Sequence, residues 1–171
     1  MKFDIARQPL VPAFMTLFAL AVAAMCAGIP VPDTETSGAV REALPLLGGQ
    51  LARFQAAYPV WSKFAAGFML LFAGMCTGRI SIRYNLYTVG TCLPIPLYAI
   101  VACGIATGGN YLAGFAASML LALATKNYCR AFCNGYGFDA IFRASLYLGL
   151  MPLVYAPALP LLLLLPLAAL L

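Results

Sequence analysis

The chain has 171 residues, of which 64% are hydrophobic and 9% are charged, and its mean hydropathy is +0.94. A water-soluble domain has roughly half apolar and about a quarter charged residues, and a disordered chain has low hydrophobicity and high charge, so both classes are excluded. The net charge of +5 comes from ten basic and five acidic residues. Because the basic residues form no run of five or more, we expect no nucleic acid partner.

This composition favours a polytopic membrane protein. About 20 residues cross the hydrocarbon core as a helix, so the length allows five or six helices. We therefore predict an all-α, transmembrane helical bundle with five spans and a partial or kinked sixth. Residues 1–171 are expected to form a single membrane domain.

Two residue counts limit the chemistry. Histidine is absent, which excludes Ser-His-Asp and Cys-His triads, histidine-dependent zinc proteases and His-ligated haem. The six cysteines form no CxxC pair, and most lie in apolar runs, where cysteine usually acts as a small hydrophobe. We expect no metal site, no cofactor and no catalytic residue.

The first predicted span covers residues 10–29 and follows Lys2 and Arg7. Its apolar run is longer than that of a signal peptide, which favours an uncleaved anchor over a cleaved leader. Residues 30–59 form the longest polar interval, which we predict to be an extracytoplasmic loop.

Within that interval, apolar residues recur at spacings of three and four, as on one face of a helix. The pattern predicts an interfacial amphipathic helix lying on the membrane. Pro45 and the pair Gly48-Gly49 are expected to break it, and a re-entrant or packed loop is the alternative. The members of the stripe are Val40, Leu44, Leu47, Leu51, Phe54 and Tyr58.

The second predicted span covers residues 60–78. Trp61 and Lys63 lie at its start, as interfacial anchors do. Gly74 and Gly78 form a GxxxG pattern, which lets another helix approach closely. Residues 79–85 are predicted to be a short basic loop.

The third predicted span covers residues 86–106 and contains Pro94 and Pro96. Proline lacks an N–H, so we expect the helix to be disturbed near its middle. A broken helix can line a substrate site in a transporter, and a tolerated kink is the alternative.

After a turn over residues 107–110, the fourth predicted span covers residues 111–125. The polar segment that follows, 126–143, carries Lys126, Arg130 and Arg143, which are candidates for contact with lipid phosphates or a partner. An ordinary positive-inside loop is the alternative. Cys129 lies beside Arg130 and is the thiol that we expect to be most reactive. Asp139 is predicted to cap the next helix and to pair with Arg143.

The fifth predicted span covers residues 139–156, a turn follows at 157–160, and a leucine-rich partial sixth span begins at residue 158. With the N-terminus inside, seven basic residues lie on the inner side and three on the outer side. The positive-inside rule therefore predicts a cytoplasmic N-terminus.

Two stretches carry a family resemblance. One is Arg83-Tyr-Asn85-Leu-Tyr. The other is the basic segment 125–138 with Phe138-Asp139-Ala140 after it, continuing to Tyr155-Ala-Pro157 and the leucine-rich run. Together they resemble the uncharacterised multi-pass inner-membrane family of Bacteroidota called domain-of-unknown-function family 6427. The resemblance covers residues 60–171 and implies a location in a bacterial inner membrane. It also implies a longer protein of which this chain is the N-terminal half. It implies no catalytic residues, because none is established for that family.

Three function classes follow from these patterns. We favour a non-enzymatic accessory or scaffold component of a cell-envelope system, whose partners are membrane lipids and other membrane-protein subunits. A transporter or permease for a small or lipid-like solute is the first alternative. It is weakened because the acidic residues lie outside the span interiors, where coupled transporters usually place them. An intramembrane enzyme acting on lipid or lipid-linked sugar is the second alternative.

Overall fold

A computed structural model of the protein describes residues 10–26, 46–84, 92–105, 111–133 and 137–163. Over these ranges 95% of the residues are helical and none lies in a strand, so the predicted all-α fold is confirmed there. The helices are α1 (Leu10–Cys26), α2 (Leu46–Ala57), α3 (Pro59–Arg83), α4 (Pro94–Ile105), α5 (Tyr111–Cys133) and α6 (Phe138–Val154), followed by a 3₁₀ helix (Ala156–Leu163).

The 25-residue helix α3 is the centre of the bundle, since α1, α2, α4 and α5 all pack against it. It is the one helix in the described ranges that is long and apolar enough to cross a membrane. A shorter apolar helical stretch, Ala13–Ala23, lies within α1. Length and composition thus identify one candidate span in the described part of the chain.

Helices α3 and α5 run in the same direction. The hydroxyls of Ser62, near the start of α3, and Tyr111, at the start of α5, are 2.6 Å apart in a buried hydrogen bond. Ser62 also donates its hydroxyl proton to the carbonyl oxygen of Pro59, so Tyr111 is the donor to Ser62. This bond aligns the first turns of the two helices.

Helix α4 runs antiparallel to α3 and packs on its two glycines. A Cβ atom added to Gly78 would collide with the side chain of Ile95, and one added to Gly74 would lie 2.8 Å from Leu17 of α1 and 3.3 Å from Tyr98 of α4. The close approach expected from the GxxxG pattern is therefore present, and both α1 and α4 pack against the two glycines.

Helices α5 and α6 form an antiparallel hairpin. Val154, at the end of α6, packs on Ala113 and Ala116 near the start of α5. Tyr155 has an extended backbone and ends α6, and the 3₁₀ helix then folds against α6 through Ala158. The predicted turn at 157–160 is a 3₁₀ helix instead, and residues 164–171 of the leucine-rich run lie outside the described residues.

Helix α2 differs from the broken helix expected in the interval 30–59. It covers Leu46–Ala57 and continues without interruption through Gly48 and Gly49, while Pro45 lies outside the described residues. One face packs against α3, α5 and α6, and Gly48 is buried there, so the absence of a side chain allows close packing. Val40 and Leu44 of the predicted stripe lie outside the described residues. Leu47 and Phe54 are exposed.

Two helices are longer than predicted. Helix α3 continues to Arg83 and α5 to Cys133, so residues 79–83 and 126–133 are helical and not loops. Basic side chains lie in the last turn of each, where they interact favourably with the negative end of the helix dipole. The cations extend the helices beyond their apolar parts.

The predicted break at Pro94 and Pro96 stays a prediction, because the first part of the predicted span lies outside the described residues; Cys92 and Leu93, just before the prolines, are not helical. Helix α4 begins at Pro94, and both prolines lie in its first turn, where a backbone N–H has no intrahelical partner to lose. The prolines start the helix and do not bend it. Residues 85–91 of the predicted third span lie outside the described residues.

The prediction that Asp139 caps the N-terminus of α6 is wrong. Gly137 occupies the N-cap position without a side-chain hydrogen bond, and Asp139 lies in the first turn. The predicted pair of Asp139 with Arg143 is present. The aspartate therefore acts on the helix dipole and on Arg143 and does not cap the backbone.

Candidate functional site at the basic end of the bundle

Three helix ends place basic side chains at one end of the molecule. Helices α3 and α5 end there, because they run in parallel, and α6 begins there, because it runs antiparallel to α5. All of these cations are exposed. They are Arg79, Arg83, Lys126, Arg130 and Arg143. We call this region the basic end.

The structure divides the predicted trio of Lys126, Arg130 and Arg143. Arg143 is held by Asp139, with 3.0 Å between Nη2 and Oδ2 and 3.1 Å between Nε and Oδ1. Lys126 and Arg130 lie one turn apart on α5 and are both exposed. The charge of Arg143 is thus partly compensated, whereas Lys126 and Arg130 form no ion pair within the described part of the chain.

Arg79 and Lys126 lie at the same end of the bundle, as the count of basic residues on the inner side predicts. From the Ser62–Tyr111 hydrogen bond, Arg79 is about 25 Å along α3 and Lys126 about 22 Å along α5, at 1.5 Å of rise per residue. Both charges act electrostatically on the Cys76 thiol of α3. The two cations therefore lie at similar height where α3 meets α5.

Cys129 lies in the polar part of α5, beyond the predicted span 111–125. Burial raises the pKa of its thiol, and the neighbouring Cys133 raises that pKa further. The neighbouring cations Arg130 and Lys126 therefore do not bring this pKa below its ordinary value. Because burial disfavours the thiolate, Cys129 is a weak nucleophile near neutral pH.

The opposite end of the bundle carries an open aromatic groove of about 500 Å³ between α2 and α3. Its side chains, apart from Ala65, are exposed aromatic rings. The lining residues are Phe54, Tyr58, Trp61, Phe64, Ala65 and Phe68. The spacing of Trp61, Phe64 and Phe68 at three and four residues indicates this surface in the sequence, beyond the anchor role predicted for Trp61 with Lys63.

Pro94 and Pro96 do not lie at this groove. They are half-buried at the start of α4, and Ile95 between them is fully buried against Gly78. Their local role is to start α4 where it packs on α3. Among the described residues, no group of three or more His, Cys, Asp or Glu side chains could hold a metal ion.

No family model, curated protein or solved structure matches this chain. The resemblance to the Bacteroidota family stays a prediction. The site is therefore interpreted from its own geometry and charge.

Proposed function

We propose that the chain is a multi-pass membrane protein with five spans and a partial sixth. The observation that carries this proposal is the distribution of side-chain sizes. Large apolar side chains point outward, with Trp61, Phe68 and Val11 between 66% and 68% exposed. The buried positions are mostly small, as at Ala66, Ala73 and their neighbours. A soluble bundle buries its large apolar residues, whereas membrane helices pack through small residues and face lipid with large ones.

The directions of the helices support the same arrangement. Helices α3 and α5 are parallel, α4 is antiparallel to α3, and α6 is antiparallel to α5, as successive spans must be. Trp61 and Arg79 lie about 27 Å apart along α3, close to the thickness of a hydrocarbon core of about 30 Å. An aromatic residue at one end and cations at the other are typical of the two membrane interfaces.

The charge distribution supports a cytoplasmic N-terminus and an inner-membrane location. The basic end carries the cations of α3, α5 and α6, while Arg53 and Lys63 lie at the aromatic end. By the positive-inside rule, the basic end is cytoplasmic and α2 lies on the extracytoplasmic side. Helix α2 then lies at the membrane interface and packs on α3, α5 and α6. It therefore has features of both structures predicted for residues 30–59, an interfacial helix and a packed segment.

Within the membrane, we propose a non-enzymatic accessory or scaffold role in a cell-envelope system. The apolar parts of α1, α4, α5 and α6 contain no ionisable Asp, Glu, Lys or Arg. Relay and ion sites of coupled transporters usually need such groups. The outward aromatic faces offer contact area to lipids and to other membrane-protein subunits.

The transporter and the lipid-acting enzyme stay as alternatives. Purification in mild detergent separates the three. A stoichiometric protein partner supports the scaffold, a co-purifying small solute supports the transporter, and turnover of a bound lipid-linked substrate supports the enzyme. Purified protein with none of these, in a preparation that retains native lipid, would contradict the scaffold proposal.

Single-cysteine labelling tests the membrane arrangement. One variant keeps native Cys133, which is exposed at the basic end, and another carries Ala56→Cys on the exposed surface of α2. In intact cells lacking an outer-membrane barrier, an impermeant maleimide should label the cysteine at position 56 and not Cys133. The reverse pattern would invert the orientation. Labelling of both from outside, or of neither, would contradict a bundle that spans the membrane between them.

A further inference from the structure

The outward face of α3 changes from aromatic to cationic along one stripe. Phe68 and Phe72 stack with ring centroids 6.5 Å apart, and both are exposed. Met75 continues the stripe and is 38% exposed. Arg79 lies one turn beyond Met75 on the same face, and Arg83 one turn further. An apolar track of about two turns therefore leads directly to two guanidinium groups.

A second helix adds charge at the same height. The parallel alignment of α3 and α5 places Lys126 at about the height of Arg79, and Arg130 lies one turn beyond Lys126. Neither α3 nor α5 contains an Asp or Glu residue. Asp139 is the one acid in the described part of the chain, and it is engaged by Arg143. The dipoles of α3 and α5 offset part of this charge, but each helix end carries only about half a negative charge.

We propose that the surface where α3 meets α5 binds a glycerophospholipid with an anionic headgroup. The phosphate lies between Arg79 and Lys126, and one acyl chain lies along Met75, Phe72 and Phe68. Guanidinium and ammonium groups both bind phosphate oxygens, and the adjoining apolar track matches a hydrocarbon chain. The charge complementarity selects an anionic lipid over a zwitterionic one. This inference rests on the proposed membrane arrangement.

The test compares two charge-matched double variants. Arg79→Gln with Lys126→Gln removes the proposed phosphate contacts. Arg53→Gln with Lys63→Gln removes the same charge from the aromatic end and is the control. Each protein is purified from vesicles containing equal parts of phosphatidylglycerol and phosphatidylcholine, and native mass spectrometry measures the retained lipids.

We expect wild type and control to retain phosphatidylglycerol preferentially. In the Arg79→Gln/Lys126→Gln variant, the ratio of retained phosphatidylglycerol to phosphatidylcholine should fall by about fivefold for each charge removed. Each basic group near an anionic lipid surface increases the affinity by about that factor. No preference in wild type, or an equal loss in both variants, would overturn the proposal. Asp139→Asn should leave the preference intact, since Arg143 does not belong to the site.

Two further measurements separate the sources of failure. Inorganic phosphate titrated into the detergent-solubilised protein should show no saturable binding. Saturable binding that depends on Arg79 and Lys126 would instead identify a site for free phosphate and overturn the lipid assignment. The Cys133 labelling pattern is measured on every variant. If wild type itself fails that labelling test, the membrane arrangement fails, whereas a lost lipid preference with normal labelling concerns this site alone.

Discussion

At the scale of single residues, two hydroxyl pairs join α5 to its neighbours. Tyr111 donates to Ser62 of α3 at 2.6 Å, and Tyr98 of α4 lies 3.1 Å from Ser118 of α5. Ser118 donates to the carbonyl of Phe115, so its oxygen is the acceptor for Tyr98. The first pair is buried and the second is partly buried, which makes the first the stronger determinant of helix register.

Replacing Tyr111 with Phe removes that donor while keeping the ring. We expect the free energy of unfolding in detergent to fall by about 1 kcal/mol, within the range for a hydrogen bond between helices. Denaturant titration followed by circular dichroism measures the change. Tyr58→Phe is the control, because Tyr58 is 57% exposed, and it should leave stability unchanged. Equal losses in both variants would contradict the role of the buried bond.

Cys129 allows a prediction about pH. Burial and the neighbouring Cys133 raise its pKa, so less thiolate is present at a given pH than in an unperturbed thiol. In a variant with Cys129 as the sole cysteine, the pH profile of alkylation should have a higher midpoint when folded than when unfolded in guanidinium chloride. Burial alone acts in that variant. A lower midpoint in the folded protein would show that Arg130 and Lys126 dominate.

At the scale of elements, α3 has an inner face that packs against other helices and an outer face that is exposed. Gly74 and Gly78 lie on the inner face and let α1 and α4 approach closely. The outer face carries Trp61, Phe64 and Phe68, which are all exposed. The helix therefore separates packing from surface contact by side-chain size.

Gly78→Ala tests the inner face. The added methyl group collides with the side chain of Ile95, which is fully buried, so we expect the free energy of unfolding to fall by about 1–3 kcal/mol. Gly114→Ala is the matched control, since nothing lies within 4 Å of its added Cβ, and stability should be unchanged or slightly higher.

A double-mutant cycle separates overpacking from other effects. If Ile95 is the obstacle, Gly78→Ala should destabilise an Ile95→Ala background much less than it destabilises the wild type. The same thermal or denaturant measurement gives the coupling. Additive effects would mean that the added methyl group acts elsewhere.

At the scale of the whole molecule, polarity is arranged by position along the helices more than by depth in the bundle. Five of the described cations lie at one end, the aromatic groove and α2 lie at the other, and exposed apolar side chains lie between them. In water, a surface of this kind would expose large contiguous apolar patches, which soluble monomers rarely do. A lipid environment makes the same surface favourable.

Two exposed phenylalanines test this arrangement. Phe68 is 66% exposed and lies within the apolar part of α3, while Phe138 is 84% exposed at the basic end. Phe68→Asp should reduce membrane insertion, because Asp within a span costs about 3 kcal/mol. Phe138→Asp should insert normally. Carbonate extraction and protease protection measure insertion. If both variants behave alike, the outer face of α3 does not contact lipid, since surface substitutions in a soluble protein usually change stability by only about 0.5 kcal/mol.

The sequence by itself determined the all-α class and several of the helices. Long apolar segments separated by turn residues are local signals, so α1 and α5 lie where spans are predicted, and α6 begins within a residue of its predicted start. The GxxxG pattern likewise indicated the packed face of α3, and the spacing of Asp139 and Arg143 indicated their pair. The proposed spans, orientation and envelope role come from composition and charge and stay predictions.

Only the tertiary structure decided which side chains meet. It placed Pro94 and Pro96 at a helix start, because a fixed φ and a missing N–H are harmless there. It continued α2 through Gly48-Gly49, because packing on three helices outweighs the cost of two glycines. It joined Arg79 to Lys126, which are 47 positions apart in the chain, through the parallel alignment of α3 and α5. Such long-range contacts depend on helix direction and register, and neither can be read from a local pattern.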